Sequence, residues 1–203
     1  MPLSPRDAEL IQIMDAALAD AARRAGDMLA CRPGCTQCCY GAFAISQLDA
    51  LRLSEGMIDL RIADPSRAAA VEHRAQQWIA EFSTEFPGDL ATGQLGETDQ
   101  DQARFEDFAN EAACPALDPA TGLCDLYSAR PMTCRVFGPP VAMDTGPGAT
   151  ALAHCELCFI GATQEQVAAC EMQPPTELEE TLISDLAQEG HRGETVVAFA
   201  LLG

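Results

Sequence analysis

The sequence predicts a mainly α-helical protein: a small helical domain with an irregular cysteine-rich region that binds metal. Several segments repeat apolar residues at three- or four-residue steps behind typical helix caps. Alanine supplies 35 of the 203 residues and aromatic side chains supply only 11, which favours closely packed helices. Residues 114–158 are rich in Cys, Pro and Gly and show little periodicity, so a metal centre is the obvious means of holding their shape.

The first predicted helix covers residues 4–30 and leads into the first group of cysteines. Ser4 is a typical N-cap, and Pro5 suits the first helical position. The apolar face of this helix consists of Leu10, Met14, Ala17, Ala21, Ala25 and Met28. The residues that follow, 31–39, contain a Pro-Gly pair and predict a tight loop.

Further helices are predicted along the rest of the chain. They cover residues 46–56, 64–86, 103–113 and 176–188, with a weaker helix at 164–171. Residues 87–102 are rich in Gly, Asp, Gln and Thr, and this composition predicts a mobile loop without chemistry. The apolar end, residues 196–202, is compatible with either a helix or a strand.

Lysine is absent, and all 12 basic residues are arginine. Chemistry that depends on a lysine amine, such as a Schiff base or a Walker-type phosphate site, is therefore excluded. The formal net charge of −19 argues against a nucleic-acid partner, because such partners are bound largely through basic side chains. We expect the negative charge to serve mainly solubility.

The N-terminal residues lack a basic stretch followed by an apolar segment. No later stretch approaches the roughly 18 apolar residues that a membrane span requires. We therefore expect a cytoplasmic protein with no membrane partner. Because thiols stay reduced in that compartment, the 10 cysteines are expected to be metal ligands or redox groups rather than disulfides.

Nine of the cysteines fall into two groups along the chain. The first group is Cys31, Cys35, Cys38 and Cys39, and the second is Cys114, Cys124, Cys134, Cys155 and Cys158. Clustered thiolates bind zinc in tetrahedral sites or iron in iron–sulfur clusters. Nine thiols exceed one four-ligand site, so the chain has either two centres or one centre plus inert thiols. A structural role in the core is the alternative, and it is preferred for Cys170, while His154 is the histidine best placed to be a ligand.

These cysteines belong to a longer ordered pattern. It reads C-x3-C-x2-C-C from Cys31 to Cys39, then Cys114-Pro115-x-Leu117, then Gly122-Leu-Cys124-Asp-Leu-Tyr127-x-x-Arg130-Pro131-x-x-Cys134-Arg135-x-Phe137. The pattern resembles the YkgJ-type cysteine-cluster family, which is described as zinc- or iron-chelating and is related to a cysteine-rich unit of flagellin lysine-N-methylase. The resemblance spans residues 31–158. It implies that the cluster cysteines are Cys31, Cys35, Cys38, Cys39, Cys114, Cys124, Cys134 and Cys155, and Cys158 is added as a further metal ligand.

Three other residues of the pattern are candidates for binding the metal cofactor. Arg130 and Arg135 flank Cys134, where a guanidinium would lower the pKa of a thiol and offset thiolate charge. Ion pairs with surface carboxylates are the alternative for both arginines. Tyr127 could donate its hydroxyl to a sulfur or pack as an aromatic ring. Pro131 at the start of a short helix would bring Cys134 close to unpaired backbone N–H groups.

The sequence supports three functions from different classes. The first is a metal-centre-binding protein with a redox or metal-handling role. The second is a modifying enzyme related to flagellin lysine-N-methylase, although no Gly-rich nucleotide loop follows a predicted strand. The third is a zinc-stabilised adaptor that binds a protein partner. We expect residues 1–203 to form one domain, with a cysteine-cluster region at 31–158 and a helical extension at 159–203.

The ligand set slightly favours an iron–sulfur cluster over zinc. Nearly all candidate ligands are cysteines, and Pro115 follows Cys114 as proline does in some cluster loops. Zinc remains an alternative, because the two C-x2-C pairs could together form one all-thiolate zinc site. Those pairs are Cys35 with Cys38 and Cys155 with Cys158.

Overall fold

The computed structural model describes residues 3–146 and 149–203, and within them the protein is mainly α-helical, as predicted. The helices are α1 (Pro5–Ala25), α2 (Gln47–Ala63), α3 (Pro65–Phe82), α4 (Asp99–Glu106), α5 (Met132–Val136), α6 (Gln164–Ala169), α7 (Thr176–Gln188) and α8 (Val197–Ala200). Short 3₁₀ turns occupy Gly26–Met28, Gln37–Cys39 and Tyr127–Ala129. None of the described helices is long and apolar enough to cross a membrane.

The strands are short, and all of them form antiparallel pairs. The pairs are β1 (Ile45–Ser46) with β8 (Glu194–Thr195), β2 (Gly88–Asp89) with β3 (Gln94–Leu95), β4 (Leu117–Asp118) with β5 (Leu123–Cys124), and β6 (Val141–Gly146) with β7 (Ala149–Ala153). The chain divides into two compact units. Unit 1 comprises Thr36–Pro131 and Ile183–Gly203 together with Leu3, and unit 2 comprises Ser4–Cys35 and Met132–Leu182.

Unit 1 is built on α2 and α3, with α8 packed against both. The Ser46 hydroxyl caps α2 by accepting from the N–H of Asp49, and the Asp64 carboxylate caps α3 in the same way. Helix α2 does not end near Gly56 as predicted but continues to Ala63. Gly56 permits close packing instead, because a Cβ atom there would lie 2.5 Å from the Cβ of Ala129.

The stretch predicted as a mobile loop, residues 87–102, is ordered in a hairpin and the start of a helix. Strands β2 and β3 pair through Gly88–Leu95 and Asp89–Gln94, and Thr98 caps α4. Helix α4 therefore begins at Asp99 rather than at residue 103 and ends at Glu106. The hairpin is missed because its strands are two residues long and show no alternation of apolar and polar side chains. The undecided C-terminal end is helical, since α8 spans Val197–Ala200.

Unit 2 is built on α1, with the short helix α5 packed against it. Leu10 and Met14 of the predicted apolar face are fully buried, and Ser4 caps the helix through the N–H of Arg6. Helix α1 ends at Ala25, and a 3₁₀ turn continues the chain to Met28. The loop that follows α1 lies beside the segment 155–159, and this contact assembles a group of thiols.

Candidate metal centres

Unit 1 brings together the thiols of Cys38, Cys39, Cys114 and Cys124, which we call the unit 1 thiol group. The Cys114 N–H donates to the Cys39 carbonyl at 2.7 Å, so these two segments are held side by side. The Leu117 N–H then donates to the Cys114 carbonyl at 2.9 Å, and Leu117 pairs with Cys124 across β4 and β5. Backbone hydrogen bonds thus connect three separate chain segments at this group.

The thiols of this group influence one another electrostatically. The Cys39 thiol donates a hydrogen bond to the Cys38 sulfur, which lowers the pKa of Cys38 to about 6 and raises the pKa of Cys39. Burial raises the pKa of Cys114 to about 12 and also raises the pKa of Cys124. One thiol of the four is therefore ready to ionise near neutral pH, whereas the others favour the protonated form until a cation is present.

Arg130 lies close to the unit 1 thiol group. Its positive charge contributes to lowering the pKa of Cys38 and acts in the same direction on Cys124. The guanidinium carbon stands 3.9 Å from the ring centre of Tyr127, and one guanidinium N–H donates to the Tyr127 carbonyl at 3.1 Å. The Tyr127 residue itself is exposed. In this structure the aromatic ring of Tyr127 therefore packs against the guanidinium group of Arg130.

Unit 2 brings together the thiols of Cys31, Cys35, Cys155 and Cys158, which we call the unit 2 thiol group. Cys155 and Cys158 are buried in a turn closed by a 2.9 Å bond from the Cys158 N–H to the Cys155 carbonyl. The Ala30 N–H donates to the Cys158 sulfur at 3.4 Å. This N–H···S bond joins the loop that follows α1 to the turn that contains Cys155 and Cys158.

The Cys158 sulfur is central to the unit 2 thiol group. It shares hydrogen bonds with the thiols of Cys31 and Cys155, and Cys35 lies within electrostatic reach of both of those residues. Burial is the largest cause that raises the pKa of Cys31, to about 12, and that of Cys155. Cys31 is exposed as a residue, and its thiol lies close to those of Cys158, Cys35 and Cys155.

Gly138 lies directly against this group. It has a φ of +122°, and a Cβ atom at this position would lie 2.7 Å from the Cys31 sulfur. Its carbonyl accepts from the N–H of Cys155 at 3.2 Å. A glycine is required here both by the backbone conformation and by the close approach of a sulfur atom.

The other candidate residues have different surroundings. Cys134 is the third residue of α5, and Arg135 beside it is buried and pairs with the Asp15 carboxylate at 2.5 Å. Cys170 is buried in an apolar cluster that also contains Cys155 and Cys158. The Nδ1 atom of His154 lies 3.0 Å from the carbonyl oxygen of its neighbour Cys155.

Sequence reasoning missed residues that hold the thiol-bearing segments in place. Arg67 and Arg74 of α3 both bind the carboxylate of Asp125, whose side chain is 2% exposed. The sequence shows an aspartate directly after Cys124. No neighbouring residue indicates that two arginines about 50 residues away pair with its carboxylate. Gly138 was also missed, because a single glycine before two prolines indicates only a turn.

The chemistry of the donor sets fits a soft or borderline cation. Each group offers four cysteine sulfurs, the ligand set typical of zinc and iron centres. Within residues 3–146 and 149–203, however, no group of three or more His, Cys, Asp or Glu side chains is already arranged around a metal position. Several of the thiols are hydrogen-bonded to one another, and binding a cation requires them to lose protons.

The helical fold and the two thiol groups define a cysteine-rich protein with metal-chelating donor sets. The sequence family CxxCxxCC, described as a "putative zinc- or iron-chelating domain", matches residues 30–158. The chain belongs to this family, which confirms the resemblance seen in the cysteine pattern. No curated protein and no solved structure matches the chain.

Proposed function

We propose that this protein binds two metal centres, one on each thiol group, with four cysteine ligands apiece. The observation that carries the proposal is the mutual interaction of four thiols within each unit. The unit 1 centre would use Cys38, Cys39, Cys114 and Cys124, and the unit 2 centre would use Cys31, Cys35, Cys155 and Cys158. Cys134, the one predicted ligand of the nine that belongs to neither thiol group, stays a predicted ligand.

Direct hydrogen bonds between thiols in each group favour a single ion over a cluster. A tetrahedral zinc ion with Zn–S bonds of about 2.3 Å holds its sulfurs about 3.8 Å apart. Cys31 and Cys155 share hydrogen bonds with Cys158, so these three sulfurs are already direct neighbours with no room for bridging atoms between them. A four-iron cluster would spread its ligands farther, because irons and sulfides stand between them. We therefore propose zinc, with an iron–sulfur cluster as the alternative that the sequence favoured.

Bound metal would stabilise segments that have little regular secondary structure of their own. Cys155 and Cys158 lie in an irregular turn, and Cys124 lies in a strand of two residues. Joining such segments through one ion adds restraints that their few backbone hydrogen bonds do not supply. Arg130 would offset the charge of the unit 1 centre, since four thiolates with one Zn²⁺ carry a net charge of −2.

The test is metal analysis of the full chain purified without oxygen from cells supplied with both iron and zinc. Zinc, iron and acid-labile sulfide are measured on one sample together with its absorption spectrum. We expect two zinc ions per chain and no visible absorption. Iron with an equal amount of sulfide and a brown colour would replace zinc with the cluster alternative. One zinc ion per chain would contradict the proposal of two centres, and less than one metal ion of either kind would contradict metal binding altogether.

A further inference from the structure

Arg74 of α3 connects the two segments that carry Cys114 and Cys124. Its Nε atom donates to the carbonyl of Pro115 at 2.8 Å, and a terminal nitrogen donates to the carboxylate of Asp125 at 2.5 Å. Pro115 directly follows Cys114, and Asp125 directly follows Cys124. One guanidinium therefore holds the residue next to each of the two cysteines.

The carboxylate in this arrangement is buried and doubly held. The Asp125 side chain is 2% exposed, and Arg67 binds its second oxygen. The Asp125 N–H also donates to the Ala116 carbonyl at 2.8 Å. The arginines keep some contact with solvent, at 45% exposure for Arg67 and 22% for Arg74, but the carboxylate does not. Removing Arg74 would therefore leave a buried negative charge with one partner fewer.

We propose that Arg74 is a positioning residue of the unit 1 thiol group, setting the separation of Cys114 and Cys124 through Pro115 and Asp125. This inference rests on the proposed metal centre. A tetrahedral ion accepts its four sulfurs only within narrow limits of distance and angle, so ligands that are already in place bind it more tightly. Asp125 acts as the partner that fixes the orientation of Arg74.

The planar guanidinium is suited to this role. It directs separate N–H groups at a carbonyl and a carboxylate at the same time, which the single ammonium group of lysine does less well. An Arg74→Lys variant keeps the positive charge and most of the side-chain length but not this forked geometry. The variant therefore separates positioning from simple charge compensation.

The experiment is titration of the metal-free full chain with Co²⁺, whose visible spectrum reports tetrahedral thiolate ligation directly. Wild type, Arg74→Ala, Arg74→Lys and Asp125→Asn are compared. Arg61→Ala is the matched control, because Arg61 forms an exposed 2.6 Å ion pair with Glu72 on the same pair of helices, α2 and α3. Circular dichroism of each saturated sample monitors helix content.

We expect wild type and Arg61→Ala to bind two Co²⁺ ions with the same spectrum. In Arg74→Ala, Arg74→Lys and Asp125→Asn, one of the two ions should bind about ten- to a hundredfold more weakly, the usual effect of losing a residue that orients ligands. The absorption bands of that ion should remain shifted at saturating Co²⁺. A residue that only stabilised the fold would lower the affinity but leave the saturated spectrum unchanged.

The outcomes separate this inference from the proposed function. If wild type binds no Co²⁺ in stoichiometric amount, the proposed metal centres are wrong and the inference fails with them. If wild type binds two ions and the Arg74 and Asp125 variants bind two with unchanged spectra, only the inference is wrong. Should Arg74→Ala lose helix content, Arg74→Lys and Asp125→Asn decide the question, since both retain the volume of the side chain.

Discussion

At the scale of single residues, the close approach of Gly138 to Cys31 shows how the backbone shapes a thiol group. The position combines a left-handed backbone with a sulfur atom where a Cβ would lie. Gly146 provides a comparison, because its φ is +135° and nothing lies within 4 Å of a Cβ atom built there. The two glycines share the backbone strain of a substitution but differ in the clash.

We predict that Gly138→Ala weakens metal binding at the unit 2 thiol group. The added methyl group must displace the Cys31 sulfur, so one ligand moves away from the other three. The measurement is Zn²⁺ competition against a chromophoric chelator, with the number of ions counted. Gly146→Ala should keep both ions at wild-type affinity despite a similar backbone strain of about 1–3 kcal/mol. Equal affinities in the two variants would contradict the role given to Gly138.

The surroundings of Cys38 predict an order of thiol reactivity in the metal-free chain. A hydrogen bond from Cys39 and the charge of Arg130 lower the pKa of Cys38, whereas burial raises the pKa of Cys114. Iodoacetamide reacts with thiolates, so at pH 7 it should label Cys38 first, as read by mass spectrometry of peptides. In Arg130→Gln the labelling midpoint of Cys38 should move to higher pH. An unchanged midpoint would show that Arg130 does not act on this thiol.

The grouping of the cysteines is the feature that the sequence alone could not supply. Along the chain, Cys31 to Cys39 look like one cluster because they are neighbours. In the structure the first two belong to the unit 2 thiol group, and the last two belong to the unit 1 thiol group. The division depends on the hydrogen bond between Cys39 and Cys114 and on contacts of Cys31 with Cys158, all of which join distant segments. The sequence predicts which cysteines take part in thiol groups, but it does not predict which four come together in each group.

At the scale of secondary-structure elements, two hairpins of unit 1 have turns of the same sequence and geometry. Residues 89–93 and 118–122 both read Asp-x-Ala-Thr-Gly. In each turn the aspartate carboxylate accepts from the alanine N–H, at 2.9 Å and 3.0 Å, and the glycine N–H returns to the aspartate carbonyl. The glycine φ angles are +70° and +69°. The two turns are thus equivalent, but only the second leads into a strand that carries a cysteine, Cys124.

This equivalence makes a matched pair of substitutions. We predict that Asp118→Ala and Asp89→Ala both loosen their hairpins, but only Asp118→Ala weakens binding of one of the two metal ions, because β5 carries Cys124.

The effect of Asp118 should also depend on pH. Bonds from Thr121 and Ala120 lower the pKa of Asp118, so its contribution is present above the ordinary carboxyl pKa and is lost as the pH falls through the lowered value. Metal titration and thermal unfolding of both variants, followed between pH 7 and strongly acidic pH, provide the check. Equal metal affinity in the two variants would contradict the link to Cys124.

The helices were predictable where a cap begins them. Ser4, Ser46 and Asp64 each cap a helix as the sequence indicated. The errors arose where the role of a residue depends on a distant contact. Gly56 lies inside the continuous helix α2, where its missing side chain leaves room for Ala129. Local capping is encoded in a few adjacent residues, whereas the reason for a glycine can lie some 70 residues away.

At the scale of the whole molecule, metal binding has to be reconciled with a strongly acidic chain. The formal net charge is −19, and each proposed Zn²⁺ centre with four thiolates adds −2 relative to protonated thiols. Such centres are favoured only where ligand geometry is established by other contacts or where positive groups lie close by. Unit 1 supplies both: Arg130 places a positive charge near the thiols, and Arg74 holds the residues that follow Cys114 and Cys124. In unit 2 the thiols are instead held by hydrogen bonds from backbone N–H groups, including that of Ala30 to the Cys158 sulfur.

The division into two units gives a last prediction, which concerns how the chain depends on its metals. Cys124→Ser should retain one ion and lose hydrogen-exchange protection within unit 1, whereas Cys155→Ser should retain one ion and lose protection within unit 2. Cys170→Ser is the control: this residue is buried like Cys155, and we expect both ions and all protection to remain. Each variant is purified with zinc, its metal content is counted, and exchange is followed by mass spectrometry. If one serine substitution released both ions, the two thiol groups would form a single cooperative centre, and the proposal of two separate centres would be wrong.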